Sequence, residues 1–189
     1  MNVKSSFIPA GALVAILLHG SFAPAPLHAA KVSRAAPPQG EKDYLSDEES
    51  DKIRDAQDPA DRIKLYMSFA QDRLDKFEYE LNRPQHEAQY DDILNNLMNG
   101  YVGCVDDAAD QIDAAQDKQV DIRGAVKDMK EKDTAFLAKL EKFDQASGPD
   151  FEAYRYTLED AIEGTKEAIN DASDAEKTQG AGPVRRKQQ

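Results

Sequence analysis

The side chains with most chemical capacity in this chain are carboxylates. Asp106, Asp110, Asp113 and Asp117 recur at spacings of 4, 3 and 4, which on a helix puts all four on one face. Stacked carboxylates of this kind could hold Ca²⁺ or another hard cation, or receive a basic partner surface. A calcium ion takes about six to eight oxygens from converging loops, more than one helix offers, and a solvated acidic face produces the same pattern. A second group stands just before them, in NNLMNGYVGCVDDA (95–108). Asn99, Gly100, Gly103 and Cys104 interrupt a helical pattern with poor helix formers, each glycine costing up to about 1 kcal/mol against alanine. Such a stretch marks either close helix packing or a kink, or else a hinge or ligand-lined notch. Cys104 lies on the apolar stripe, where free cysteine is ordinarily a small buried hydrophobe; in an oxidising compartment it could instead link two chains.

Other catalytic apparatus is missing from the pattern. Di-iron chemistry in a helix bundle needs a Glu-x-x-His pair on each of two helices, and His86 is preceded at that spacing by Arg83. A c-type haem needs C-x-x-C-H, whereas Cys104 stands alone, and a haem b site would have to use His86 at a helix start. There is no P-loop, no G-x-S-x-G and no H-E-x-x-H. Cys104 and His86 are 18 residues apart on one predicted helix, about 27 Å by helical rise, too far for a nucleophile pair. No catalytic residue, cofactor or further metal ligand is assigned, and the chain is not expected to be an enzyme.

The elements that must carry these residues are helices. Among 189 residues there are 36 acidic and 24 basic side chains, one cysteine and no tryptophan, for a net charge of −12. That length suits one ordinary domain after a leader. The acidic balance argues against nucleic acid as a partner, because phosphate contacts need clustered Lys and Arg. Residues 1–30 read as a signal peptide: Lys4, then the apolar FIPAGALVAILL (7–18), then a small-residue exit with cleavage after Ala29 or Ala30. Its roughly 12 apolar residues, broken by Pro9 and Gly11, are too few to span a bilayer, so no stable membrane insertion is expected after cleavage. Localisation is therefore expected to be exported, periplasmic or secreted, in a bacterium. Residues 31–45, with Pro37-Pro38 and Gly40, read as a flexible lead-in, and 178–189 as a short basic tail.

Between them, 46–177 reads as the folded domain. Ser46 and Glu49 form a capping box for a short helix, and Asp58-Pro59 supplies an N-cap and a first-turn proline for the next. Ile63, Met67, Ala70, Leu74, Phe77 and Leu81 then follow at 4-3-4-3-4, a heptad seam ended by Arg83-Pro84. A second long helix from about His86 carries Tyr90, Leu94, Leu97, Tyr101, Cys104, Ala108 and Ile112. A third, from about Val120, carries Ile122, Val126, Met129, Phe136, Leu140 and Phe143, with Asp133 breaking the register. The fourth, from about Asp150, uses Phe151, Tyr154, Leu158, Ile162, Thr165, Ile169 and Ala172. Four long amphipathic helices on short loops predict an all-α, antiparallel up-down four-helix bundle with coiled-coil-like seams. Nothing between Ala114 and Gly124 is a strong breaker, so the second and third helices could also run on as one continuous coiled-coil arm.

Charge is uneven. No Lys or Arg lies between Arg83 and Lys118, against eight acids, and 150–177 is also acidic. Lys127, Lys130, Lys139 and Arg73 are the bases expected to pair across seams. Tyr66, Tyr79 and Tyr156 fall beside the seams and offer a partner surface, although flank packing meets the same pattern. The stretches YLSDEESDKIRDAQDPADRIKLY (44–66) and FAQDRLDKF (69–77) resemble the start of uncharacterised exported bacterial helical proteins. VDIRGAVKD (120–128), FLAKLEKFD (136–144) and YTLEDAIEGTK (156–166) extend that resemblance weakly. It implies an exported all-helical domain and transfers no functional residue. The function expected is that of a non-enzymatic interaction or structural module of the cell envelope, with protein partners or self-association. The alternative is a periplasmic binding protein whose acidic helix, 84–117, takes up a cation or basic ligand.

Overall fold

The computed structural model describes residues 43–84, 88–146, 148 and 150–180. The expected leader, most of the lead-in, His86 and the end of the tail lie outside the described residues. Within them the chain forms five helices: α1 (Asp47–Asp55), α2 (Pro59–Leu81), α3 (Tyr90–Asp117), α4 (Arg123–Gln145) and α5 (Phe151–Gly180), with no strand among the described residues. The helix starts follow the local signals. Ser46 accepts from the Glu49 N–H while the Glu49 carboxylate accepts from the Ser46 N–H at 2.9 Å. Asp58 caps α2 through the Ala60 N–H at 2.8 Å, with Pro59 at the first turn.

α3 and α4 are separate helices. Gln119 adopts φ 56°, and the Val120 N–H reaches the Ala115 carbonyl at 2.9 Å while the Gln119 N–H reaches that of Gln116 at 3.0 Å. Those two bonds close a Schellman motif, which terminates a helix by left-handed backbone one residue past its cap. Glycine usually fills that position because a Cβ there is strained. Gln119→Gly is accordingly expected to stabilise the chain by about 0.5–1 kcal/mol, read as a higher urea midpoint at unchanged slope.

Packing between the long helices fits a helical bundle. α2 packs against α3 and α4, α5 packs against α3 and α4, and α1 rests on α2. α3 and α4, though consecutive, are not principal packing partners. The core is one cluster, with Ile63, Leu74, Phe77, Leu94, Met98, Tyr101, Leu140 and Leu158 fully enclosed. Phe77 joins helices at one end, its ring 5.2 Å from both Phe143 and Tyr154. The α2 seam is buried as its heptads predict as far as Phe77, with Leu81 half-buried, and it is wider, since Tyr66 and Phe69 are buried too. Tyr66, read as a flank residue, is thus part of the core.

The α5 stripe differs from expectation. Its buried line is Tyr154, Leu158, Ala161, Thr165, Ala168, Ala172 and Ala175, while Ile162 and Ile169 are only half-buried. This line keeps a strict heptad spacing, and its alanines let α5 approach its neighbours closely. Three of the four expected bases bridge helices: Lys130 to Glu176 at 2.7 Å, Lys139 to Asp75 and Glu78 at 2.8 and 2.7 Å, and Arg73 to Glu49 of α1 at 2.5 Å. Lys127 pairs instead along its own helix, with Glu131 at 3.8 Å. Among the described residues no helix is long and apolar enough to cross a membrane.

Candidate functional site

The glycine-rich stretch of α3 is a notch, and the chain fills it itself. A Cβ on Gly103 would stand 2.8–2.9 Å from the ring of Tyr44, so only glycine admits that ring. Gly100 faces the Arg73 side chain, 3.4 Å from where its Cβ would be. Arg73 donates to both Glu49 carboxylate oxygens at 2.5 and 2.6 Å and to the Tyr44 carbonyl at 2.9 Å. The Tyr44 hydroxyl donates to Asp107. One guanidinium on α2 therefore holds α1, through Glu49, and Tyr44 before it over α3, in the bidentate geometry that makes such pairs strong. Burial pushes the Glu49 carboxyl up, but the hydrogen bonds and charge of Arg73 and the Ser46 N–H outweigh it and hold it at about 2. Cys104 is fully buried beneath this clasp and Asn99 is exposed. α3 runs unbroken through this stretch, with Tyr44 and Arg73 packed against its glycines.

The acidic ladder does not gather into a site. Asp110, Asp113 and Asp117 are exposed and Asp106 is half-buried. Among the described residues no three His, Cys, Asp or Glu side chains converge as metal ligands. Asp107, which the ladder spacing passes over, is buried under Tyr44 and accepts from its hydroxyl.

Aromatic side chains instead collect at one end of the bundle, where α2 and α4 finish and α3 and α5 begin. A cavity of about 370 Å³ lies there, lined by Leu81, Tyr90, Phe143, Phe151 and Tyr154, with Glu78, Asn82, Lys142 and Asp150 among its polar groups. Burial pushes the phenols of Tyr90 and Tyr154 up, and the charge of Asp150 pushes both further. Tyr79 and Tyr156 stand on the adjoining turns, 66% and 67% exposed. Each has a guanidinium over its ring, Arg83 at 5.9 Å and Arg155 at 4.1 Å from the centroid. A second hollow, about 540 Å³, lies between α2 and α4 over Ile63, Met67, Ala125, Met129 and Ala135.

One core residue has no counterpart in these surfaces. Asp133 completes the α4 stripe rather than interrupting it, is fully buried, and has no hydrogen-bond partner on either carboxylate oxygen. Burial pushes its carboxyl up to about 7, against the opposing charge of Lys132. Its position on the heptad was visible in the sequence; its lack of a partner was not.

Comparison with known proteins finds no matching family model, no matching curated protein and no matching solved structure.

Proposed function

We propose that the chain is an exported helical-bundle protein that acts by contact, as an interaction or structural module of the cell envelope, through the aromatic end of the bundle. The observation that carries this reading is the pair Tyr79 and Tyr156, large aromatic side chains left in solvent beside an aromatic-lined cavity. Tyrosine is enriched at the energetic centres of protein interfaces, because it buries much area with little rotamer entropy and keeps a polar tip, and arginine is enriched there through its planar, stacking guanidinium. Arg155 and Arg83, already stacked on these rings, preorganise them. Export rests on the leader-like composition of residues 1–30 and on the resemblance to exported helical proteins.

The up-down arrangement of the four long helices is supported by side-chain pairings along them. Lys139 of α4 meets Asp75 of α2 at matching depth, and Asn95 near the start of α3 meets Thr157 near the start of α5 at 2.8 Å. Lys130 early in α4 meets Glu176 late in α5. Two helical hairpins, α2–α3 and α4–α5, laid side by side satisfy all three.

A photocrosslinking side chain placed at 79 or 156, with one at Asp113 near the other end of α3 as control, tests the face. Adducts from the first two positions and none from the third are expected. Equal adducts from all three, or none from 79 and 156, would overturn the proposal.

A further inference from the structure

The inward faces of the long helices carry few titratable groups: Tyr66 on α2, Tyr90, Tyr101, Cys104 and Asp107 on α3, Asp133 on α4 and Tyr154 on α5. Asp107 accepts from Tyr44, but neither oxygen of Asp133 has a partner. The hydroxyls next to its layer are already committed. Thr165 donates its proton to the Ala161 carbonyl at 2.6 Å, so the 2.7 Å contact between Tyr101 and Thr165 must use the Tyr101 proton. Tyr101 packs edge-on against Phe136 of α4, 5.9 Å between centroids, and its phenol is raised mainly by burial and also by Asp133. The charge that acts on Asp133 is its exposed chain neighbour Lys132; from α5 the polar neighbour of this layer is Thr165, and the buried titratable group of α2 is Tyr66.

We infer that Asp133 is a proton-operated catch in the core: with its carboxyl protonated the helices close dry around it, and with its carboxyl ionised they part at this layer to admit water. An ionised carboxylate enclosed without a donor is among the least tolerable groups in a protein interior. The carboxyl of Asp133 sits near 7 when folded against an ordinary 3.8, so the closed form is favoured fully below about pH 4 and loses ground up to pH 7. Over that interval the closed-to-open ratio falls about tenfold per pH unit, the signature of one proton. Parting one layer exposes far less core than unfolding does, so local opening relieves the charge first.

The test is amide exchange of the full chain between pH 5.5 and 8.5, corrected for the intrinsic rate, with Asp133→Asn alongside. Protection across 129–137 and 161–169 is expected to fall about tenfold in the wild type from pH 6 to pH 8 and to stay flat in Asp133→Asn. A flat wild-type profile, or the same fall in the variant, would overturn the inference. If Asp133→Asn does not fold, Asp133→Leu replaces it, and a carboxyl-carbon NMR titration of the wild type decides: a midpoint near 7 supports the catch and one near 4 sinks it.

Discussion

Replacing Asp133 by leucine raises the stability of this chain at pH 8, by at most about 4 kcal/mol. Few substitutions in a native core stabilise, and this one does because the wild-type group is an acid without a partner. The sign follows from the shift. Its folded pKa is raised, so the acid's contribution is fully present below the unfolded value near 3.8 and is lost as pH climbs through about 7. At pH 8 the wild type carries the whole penalty and the leucine variant none. At pH 4 the penalty is gone from both, and the advantage shrinks to what leucine gains by apolar burial. The value is a ceiling, since local opening lets the carboxylate reach water and relieves part of the cost. Asp133→Asn gains less, about 2 kcal/mol, because an unpaired amide in the core still costs about 1–3 kcal/mol. Urea unfolding at pH 5 and pH 8 reads both, and equal midpoints for wild type and Asp133→Leu at pH 8 would contradict the account.

The second large effect concerns the clasp. Arg73→Ala removes both bonds to Glu49 and the bond to the Tyr44 carbonyl, leaving Glu49 only 13% exposed and without its cation. Breaking a buried pair costs about 3–5 kcal/mol when the widowed charge cannot escape. Here it can, because α1 has no buried residue, and its apolar contact with the core is Ile53, with Tyr44 and Leu45 just before it. The expected result is release of α1 with a global loss of only about 1–2 kcal/mol, seen as fast proteolysis within 43–58 while 59–180 stays protected. Arg73→Lys should restore little, since an ammonium cannot span both carboxylate oxygens and the carbonyl. Gly103→Val should release Tyr44 without changing any charge. Acid acts in the opposite direction from its effect at Asp133. The Glu49 carboxyl is held low, so the clasp is intact above about pH 4.5 and is lost as pH falls through about 2. If α1 stays protected in Arg73→Ala, the clasp is not what docks it.

How much of this was legible depended on side-chain size. The seams of α2 and α4 are written in large residues at heptad spacing, and the structure buries them as spaced. The α5 seam is written in Ala161, Ala168, Ala172 and Ala175, so the eye follows Ile162 and Ile169, one position off the buried line. Gly100 and Gly103 announced a close approach, but what approaches is Tyr44, in a segment without periodicity. The available signal was an aromatic residue two positions before a capping box. Asp133 could be placed on its stripe from spacing alone, but only the packed neighbours reveal that Tyr101 and Thr165 have no proton to spare for it. The acidic run from 84 to 117 drew attention by composition, whereas the aromatic end is assembled from four helix termini distant in sequence and could be seen only once folded.

The aromatic end is the surface through which we propose that the chain works by contact. Native mass spectrometry of the protein recovered from its own envelope fraction tests it most directly, with the Tyr79→Ser/Tyr156→Ser double variant measured in parallel. The account predicts extra protein mass on the wild type, a partner or a second copy, that is lost from the double variant while its urea midpoint is unchanged. A wild type found only as a single bare chain, or an assembly the double variant keeps intact, would contradict it.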